Sequence, residues 1–232
     1  VKAWWGRQYD EHVEEFPKLF DADTSSRAFE EDVQVTGFGL APVKAQGAGI
    51  SYDSETQGYV SRYTHVTYAL GYIVTWEELN DNLYEVVGKR RSQALAFSMR
   101  QTKENVAANV YNRAFTAAYA GGDGVELCAS THPSSAGTQS NIMAVAADLS
   151  ETAIEDMIIQ IGQATNDRGM KISLMPQSLI VPWALWFEAN RILKSVLQND
   201  TALNAINVLK ATGALPGGIV QNHYLSDADN WF

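Results

Sequence analysis

The sequence predicts an α+β protein in which long elements precede one compact domain. Three observations predict it. Residues 58–75 alternate polar and apolar side chains over an unusually long strand-like run. Residues 89–118 hold neither proline nor glycine and repeat apolar residues at helical spacing. Residues 148–232 alternate short helical and strand patterns.

Bulk composition narrows the class. The chain has 232 residues, of which 46% are hydrophobic, enough for a sizeable core. No apolar run approaches the roughly 18 residues of a membrane span. No secretory leader is read at the start, and the initial Val1 reads as a trimmed terminus. A single cysteine excludes an internal disulfide framework and fits a reducing cytoplasm. A net charge of −10 argues against a general nucleic-acid binder.

The elements follow in order. Residues 1–29 form an aromatic, acidic arm: Trp4, Trp5, Tyr9, Phe16 and Phe20 mix with Asp10, Glu11, Glu14 and Glu15. Aromatic side chains at that density require burial, either as an irregular segment packed on another molecule or as an ordinary N-terminal helix on the chain's own core. Residues 30–75 read as a long β-hairpin. Val33 and Val35 alternate on the first strand; Val60, Val66, Tyr68, Leu70, Tyr72 and Val74 line one face of the second, with GAGISYDSETQG between them. A straight strand over 58–75 would reach roughly 60 Å, beyond the roughly 45 Å diameter of a compact chain of this size. It either protrudes or, bent or broken at Gly71, folds back on the body.

Thr75 with Glu78 predicts a capping box opening a helix, and Gly88 an interruption after it. The helix over 89–118 would be a spine about 45 Å long, its stripe running through Leu95, Met99, Val106, Val110, Ala114 and Ala118. It carries Lys89, Arg90, Arg91, Arg100, Lys103 and Arg113 against a single acidic residue, Glu104. That basic run is expected to meet acidic neighbours, either Glu30-Glu31-Asp32 or the arm, in preference to nucleic acid. GGDG at 121–124 ends the spine. Asp148 and Ser150 offer N-caps to a helix with the stripe Ile154, Met157, Ile158 and Ile161, closed by Arg168-Gly169. SLIVP at 178–182 predicts a buried strand, and Pro182 the first turn of a helix carrying Leu185, Ala189, Ile192, Leu193 and Val196. LPGGIVQNHYL at 215–225 predicts a turn and a strand.

Catalytic chemistry has few candidates. Cys128 and His132 in DGVELCASTHP could form a thiol–imidazole pair. No second cysteine and no clustered histidine completes a zinc site, so the stretch is read as a loop. The glycine clusters at 37–39, 47–49 and 121–124 lack the Lys-Ser/Thr of a phosphate loop and read as turns. Asp227 and Asp229 read as a solvated turn. No cofactor and no metal is expected.

Several stretches together resemble the major capsid protein of tailed bacteriophages, most closely the Mu-type head subunit group. They are RAFEEDVQVTGFGLAPVKAQG at 27–47, RYTHVTYALGYIVTWEELNDNLY at 62–84, ENVAANVYNRAF at 104–115, DGVELCASTHP, ADLSETAIEDMIIQI at 147–161, PQSLIVPWALWFEANRILKS at 176–195 and NHYLSDADNWF at 222–232. The resemblance implies an N-terminal arm (1–29), an extended β-hairpin loop (30–75), a peripheral domain with the spine helix (76–147) and an axial domain (148–232). Family members continue past the point where this chain stops, so the axial domain is expected to be incomplete.

It further implies a structural, non-enzymatic protein of the virion, assembled in the host cytoplasm. Its partners would be itself, in hexamers and pentamers of an icosahedral shell, scaffold, portal and decoration proteins, and packaged double-stranded DNA. The expected subunit contacts are Trp4, Trp5 and Phe16 on the arm, Glu30, Glu31, Val60, Tyr63 and Tyr68 on the hairpin, and Lys89, Arg90 and Arg91 on the spine. Some relatives crosslink a lysine to an asparagine; Lys44 and Lys89 sit in no motif for it, and no crosslink is expected. Two rival readings are an encapsulin-type compartment shell and a soluble enzyme using Cys128 and His132.

Overall fold

A computed structural model describes residues 2–81, 84–198 and 205–232. The chain forms two compact units, Val1–Ser26 with His65–Tyr111, and Arg27–Thr64 with Asn112–Phe232.

The first unit is helical. α1 (Lys2–Glu11) makes the start of the arm an N-terminal helix, one of its two expected forms, and a single 3-10 turn follows at Phe16–Lys18. α2 (Trp76–Asn80) opens on the expected capping box: Thr75 Oγ1 accepts the Glu78 N–H and Glu78 Oε2 accepts the Thr75 N–H, each at 3.3 Å. α3 (Tyr84–Asn112) is the spine, and its 29 residues correspond to about 44 Å. Gly88 does not interrupt it. One glycine costs a helix about 1 kcal/mol relative to alanine, too little to break a helix of this length, and its carbonyl accepts Ser92 Oγ at 2.8 Å.

The spine hides a different face from the one its apolar residues suggest. Ser92, Ala96, Arg100, Glu104 and Ala108, spaced four apart, are buried, whereas Val106 and Val110 are exposed. The buried row is short or charged because the N-terminal segment lies on it and needs ionic partners there. The helix also ends at Asn112, before the expected Ala118. The Asn112 carboxamide donates to the Tyr224 carbonyl at 3.0 Å and accepts the Ser226 N–H at 2.9 Å, a tertiary tie that local spacing does not encode.

In the second unit β1 (Phe29–Thr36) pairs antiparallel with β2 (Thr56–Thr64), with a bulge between Val33 and Val35. β2 stops well short of the expected Val74. Its register sets Thr64 opposite Phe29, the first residue of β1, so later residues have no strand to pair with. Val66, Tyr68, Leu70 and Val74 are accordingly exposed and outside any strand. β3 (His132–Ser134) and β4 (Gly137–Gln139) form a small hairpin. His132-Pro133, at the end of the stretch read as a loop, is therefore strand.

The compact part holds α4 (Glu151–Gly162), β5 (Ser178–Pro182), α5 (Trp186–Lys194), α6 (Val208–Thr212) and β6 (Gly218–Asn222). β5 and β6 run parallel, Ser178 opposite Gly218 and Pro182 opposite Asn222. Ser150 caps α4 as expected, accepting the Ala153 N–H at 3.2 Å. α4 closes at Gly162 rather than at Arg168-Gly169, which instead form a turn with Gly169 at φ +78°. The core is Leu149, Ile154, Leu179, Val181, Ala189, Ile192 and Leu209, with Ile158, Leu185, Leu193, Ile219 and Trp231 packed around it. Each fully buried aliphatic side chain contributes roughly 1.5–3 kcal/mol. Ile154 and Ile158 of the first predicted stripe, Leu185, Ala189, Ile192 and Leu193 of the second, and Leu179 and Val181 of SLIVP meet here, whereas Val196 is exposed beyond the end of α5.

Candidate subunit interface

Within the first unit the basic spine meets the acidic arm. The Arg100 guanidinium pairs with Glu14, donates to the Tyr9 carbonyl at 2.9 Å and stacks 4.0 Å over the Tyr9 ring. Lys103 Nζ lies 3.6 Å from Glu14 and 4.3 Å over the Phe16 ring. Glu104 accepts the N–H groups of Glu15 and Phe16, each at 3.0 Å. Arg91 donates two hydrogen bonds to Glu78 at 2.7 and 2.9 Å and a third to the Ile73 carbonyl at 3.0 Å. Those bonds from Arg91, followed by that from the Thr75 N–H, hold the Glu78 carboxyl below the usual range despite some desolvation.

Several candidate contact residues are thus engaged within the chain. Phe16 is only 8% exposed and has little left to offer another copy. Arg91 is paired with Glu78, while Lys89 and Arg90 are exposed. Trp5 stacks on Tyr9 with 4.9 Å between ring centroids. The Trp4 side chain lies outside the described residues. Tyr68 is exposed.

The hairpin of the second unit carries the other candidates. Glu31 pairs with Arg62 at 2.6 Å and Glu30 with Arg27 at 3.5 Å, while Val60 and Tyr63 are exposed. The 37–55 connection holds features that the candidate residues did not include. It has no strand, and Leu40, Val43 and Tyr52 are 83%, 100% and 93% exposed. Phe38 and Ile50 are exposed beside them. A run of large apolar side chains turned to solvent is unusual in an isolated domain. Its sequence signal was present in FGLAPV, but the turn formers around it pointed only to a loop.

The Cys128 loop shows different chemistry from a thiol–imidazole pair. Cys128 is half-buried, its N–H donates to the Ala114 carbonyl at 2.8 Å, and burial pushes its thiol above the ordinary value, away from the reactive thiolate. His132 instead faces Asp123, Nδ1 to Oδ2 at 2.6 Å. The pair joins the two ends of the quoted loop, and Tyr59 from β2 donates to the Pro133 carbonyl at 3.2 Å. Asp227 forms the expected turn, accepting the Asp229 N–H at 3.0 Å. Among the described residues no group of three or more His, Cys, Asp or Glu side chains is placed to hold a metal ion.

Burial raises the Asp123 carboxyl, but the His132 and Val125 hydrogen bonds and the imidazole's charge outweigh it, leaving the group below the usual range. A depressed folded-state pKa contributes stability that is full above the ordinary carboxylate range and lost as pH falls through the depressed value. Asp123→Asn is therefore expected to be less stable than wild type at neutral pH, with the gap closing below about pH 4. Denaturation curves at pH 7 and pH 3 check this; an equal gap at both values contradicts it.

The described residues thus combine exposed apolar segments on a hairpin with a helix tied to its own arm, and they show no metal cluster or thiol–imidazole pair. A family model described as phage capsid protein matches residues 58–232, and the chain belongs to that family. It is a structural protein of the virion capsid. No curated protein and no solved structure matches the chain.

Proposed function

We propose that this chain is a tailed-phage head subunit of the Mu-type group that assembles into hexamers and pentamers of an icosahedral shell around double-stranded DNA. The observation that carries the reading is the 37–55 segment, whose large apolar side chains face solvent at the end of a β-hairpin. In this reading residues 1–29 are the arm, 30–75 the extended loop, 76–147 the peripheral domain and 148–232 the axial domain. The loop laps over an adjacent subunit and buries Leu40, Val43 and Tyr52 there. Val60, Tyr63 and Tyr68 widen that contact, and Trp5, Lys89 and Arg90 supply a second one from the arm and spine. Each contact is modest, but a subunit that makes several gains through multivalency. Assembly takes place in the host cytoplasm with scaffold and portal proteins.

The test is light scattering with electron microscopy on the chain expressed alone and with its scaffold. Uniform megadalton particles or capsomer rings are expected, and Val43→Asp should abolish them without changing the melting temperature. A monodisperse monomer under both conditions overturns the reading. DNA inside native particles supports the phage head; enzyme cargo would indicate an encapsulin-type compartment.

A further inference from the structure

The 37–55 segment leaves the β1–β2 ladder through a neck that is gripped from outside the hairpin. Thr36 and Thr56 close the ladder: their hydroxyls lie 2.6 Å apart and Thr36 Oγ1 accepts the Thr56 N–H at 3.0 Å. Immediately beyond, Arg168 reaches in. Its Nε donates to the Gly37 carbonyl at 3.0 Å and its Nη2 to the Ser54 carbonyl at 2.8 Å. One planar guanidinium therefore ties the outgoing and the returning arm of the segment. Asp53 staples the same arms from within, accepting the Gly39 N–H at 2.8 Å and the Ser54 N–H at 2.9 Å. Asp53 also lies 3.6 Å from the Arg168 guanidinium.

Arg168 stands on a tightly determined turn. Asn166 Oδ1 accepts the Arg168 and Met170 N–H groups at 3.0 and 2.8 Å, and Gly169 takes the left-handed φ of +78° that the turn requires. Asp167 fixes the turn to the β3–β4 connection, accepting the Ser135 N–H and hydroxyl, each at 2.8 Å. The guanidinium is thus held by the compact body, while its acceptors belong to the projecting segment.

We infer that Arg168 is a positioning residue for assembly: it fixes the direction in which the apolar 37–55 segment leaves the body, and so presents it to the neighbouring subunit. This rests on the reading that the segment contacts another copy. Gly37 and Ser54 are exposed, so release of the clasp returns their carbonyls to water and costs the fold little. The loss falls on order instead. A segment free to swing at its neck holds the binding direction only part of the time, and its apparent affinity falls by that fraction. Lysine cannot replace the arginine, because a point charge does not span two carbonyls as a fork does.

The test uses nitroxide labels at Leu40→Cys and Asp156→Cys in a Cys128→Ser background, on the unassembled full chain. Leu40 lies just past the neck and Asp156 is exposed on α4. The unaltered neck is expected to give a narrow distance distribution. Arg168→Ala and Arg168→Lys should broaden it, leave the melting temperature unchanged and lower assembly yield about tenfold. An unchanged distribution overturns the proposal, and so does a broadened one with normal assembly. Val43→Asp separates the two ideas. If it blocks assembly while Arg168→Ala assembles normally, only the role of Arg168 fails. If Val43→Asp itself assembles normally, the contact reading fails and this role with it.

Discussion

Replacing Glu104 by alanine is expected to release the N-terminal segment from the spine while α3 stays helical. Glu104 is 1% exposed, in the middle of α3, and spends its two carboxylate oxygens on the backbone N–H groups of Glu15 and Phe16. These bonds hold the start of the 3-10 turn and seat Phe16 against the helix. Bonds from a carboxylate to backbone N–H groups are of the stronger kind. Removing the acceptor leaves the Phe16 amide buried without it, and the expected cost is about 2–4 kcal/mol. Alanine is the best helix former, so the helix itself loses nothing. Glu104→Gln keeps one acceptor but turns an amide NH2 toward the second N–H, and should recover only part of the stability. Denaturation of both variants checks the magnitude, and protease cleavage within residues 1–26 checks the location. A cost below about 0.5 kcal/mol, the range of an ordinary surface change, would sink the idea that Glu104 holds the arm. In the proposed shell a released arm also lowers assembly, because Trp5 is no longer presented in one place.

That arrangement marks the limit of what the residues alone disclose. Helical spacing located the spine, and its basic bias pointed to acidic neighbours, either Glu30-Glu31-Asp32 or the arm; Arg100 and Lys103 meet Glu14 of the arm. The buried face was not legible. Periodicity assigns burial to apolar residues, so it chose Val106 and Val110, while the side chains that hide are Ser92, Arg100 and Glu104. A buried ion is stable only with its partners, and those partners lie roughly ninety positions away in sequence. The hairpin failed for a related reason. Alternation over Val60–Val74 is a local pattern, whereas strand length is set by the partner strand, and β1 begins only at Phe29. Conversely, the strand SLIVP and the existence of the two helices flanking it were readable, since each sends apolar side chains into a single core. The first helix nonetheless ends at Gly162, short of Arg168-Gly169, and Val196 lies beyond the second. The Asp123–His132 pair was not legible because it joins two ends of a loop nine positions apart, whereas the nearer Cys128 only looked like a partner, and burial pushes that thiol above its ordinary value.

Asn207→Ala is expected to cost the compact unit about 2–4 kcal/mol, and Asn207→Asp should restore none of it. Asn207 is 1% exposed and joins the end of α5 to the start of α6. Its Oδ1 accepts the Lys210 N–H at 3.1 Å as the N-cap of α6. Its Nδ2 donates to the Ile192 carbonyl and to Ser195 Oγ, the latter at 3.0 Å. The Ile192 carbonyl lies in the last turn of α5, where no intrahelical donor remains, so the carboxamide supplies the missing one. Alanine removes the cap, worth about 1 kcal/mol, and leaves that carbonyl buried and unpaired. Aspartate is an equally good N-cap, so a role limited to capping predicts that it rescues the fold. Here it would set a carboxylate oxygen against the Ile192 carbonyl in a site closed to water, where two acceptors repel and neither is solvated. The comparison therefore isolates the donor. Equal stability of Asn207→Asp and wild type would reduce Asn207 to a cap. A deficit at least as large as that of Asn207→Ala establishes it as the bridge that lets two short helices, neither stable alone, pack against each other.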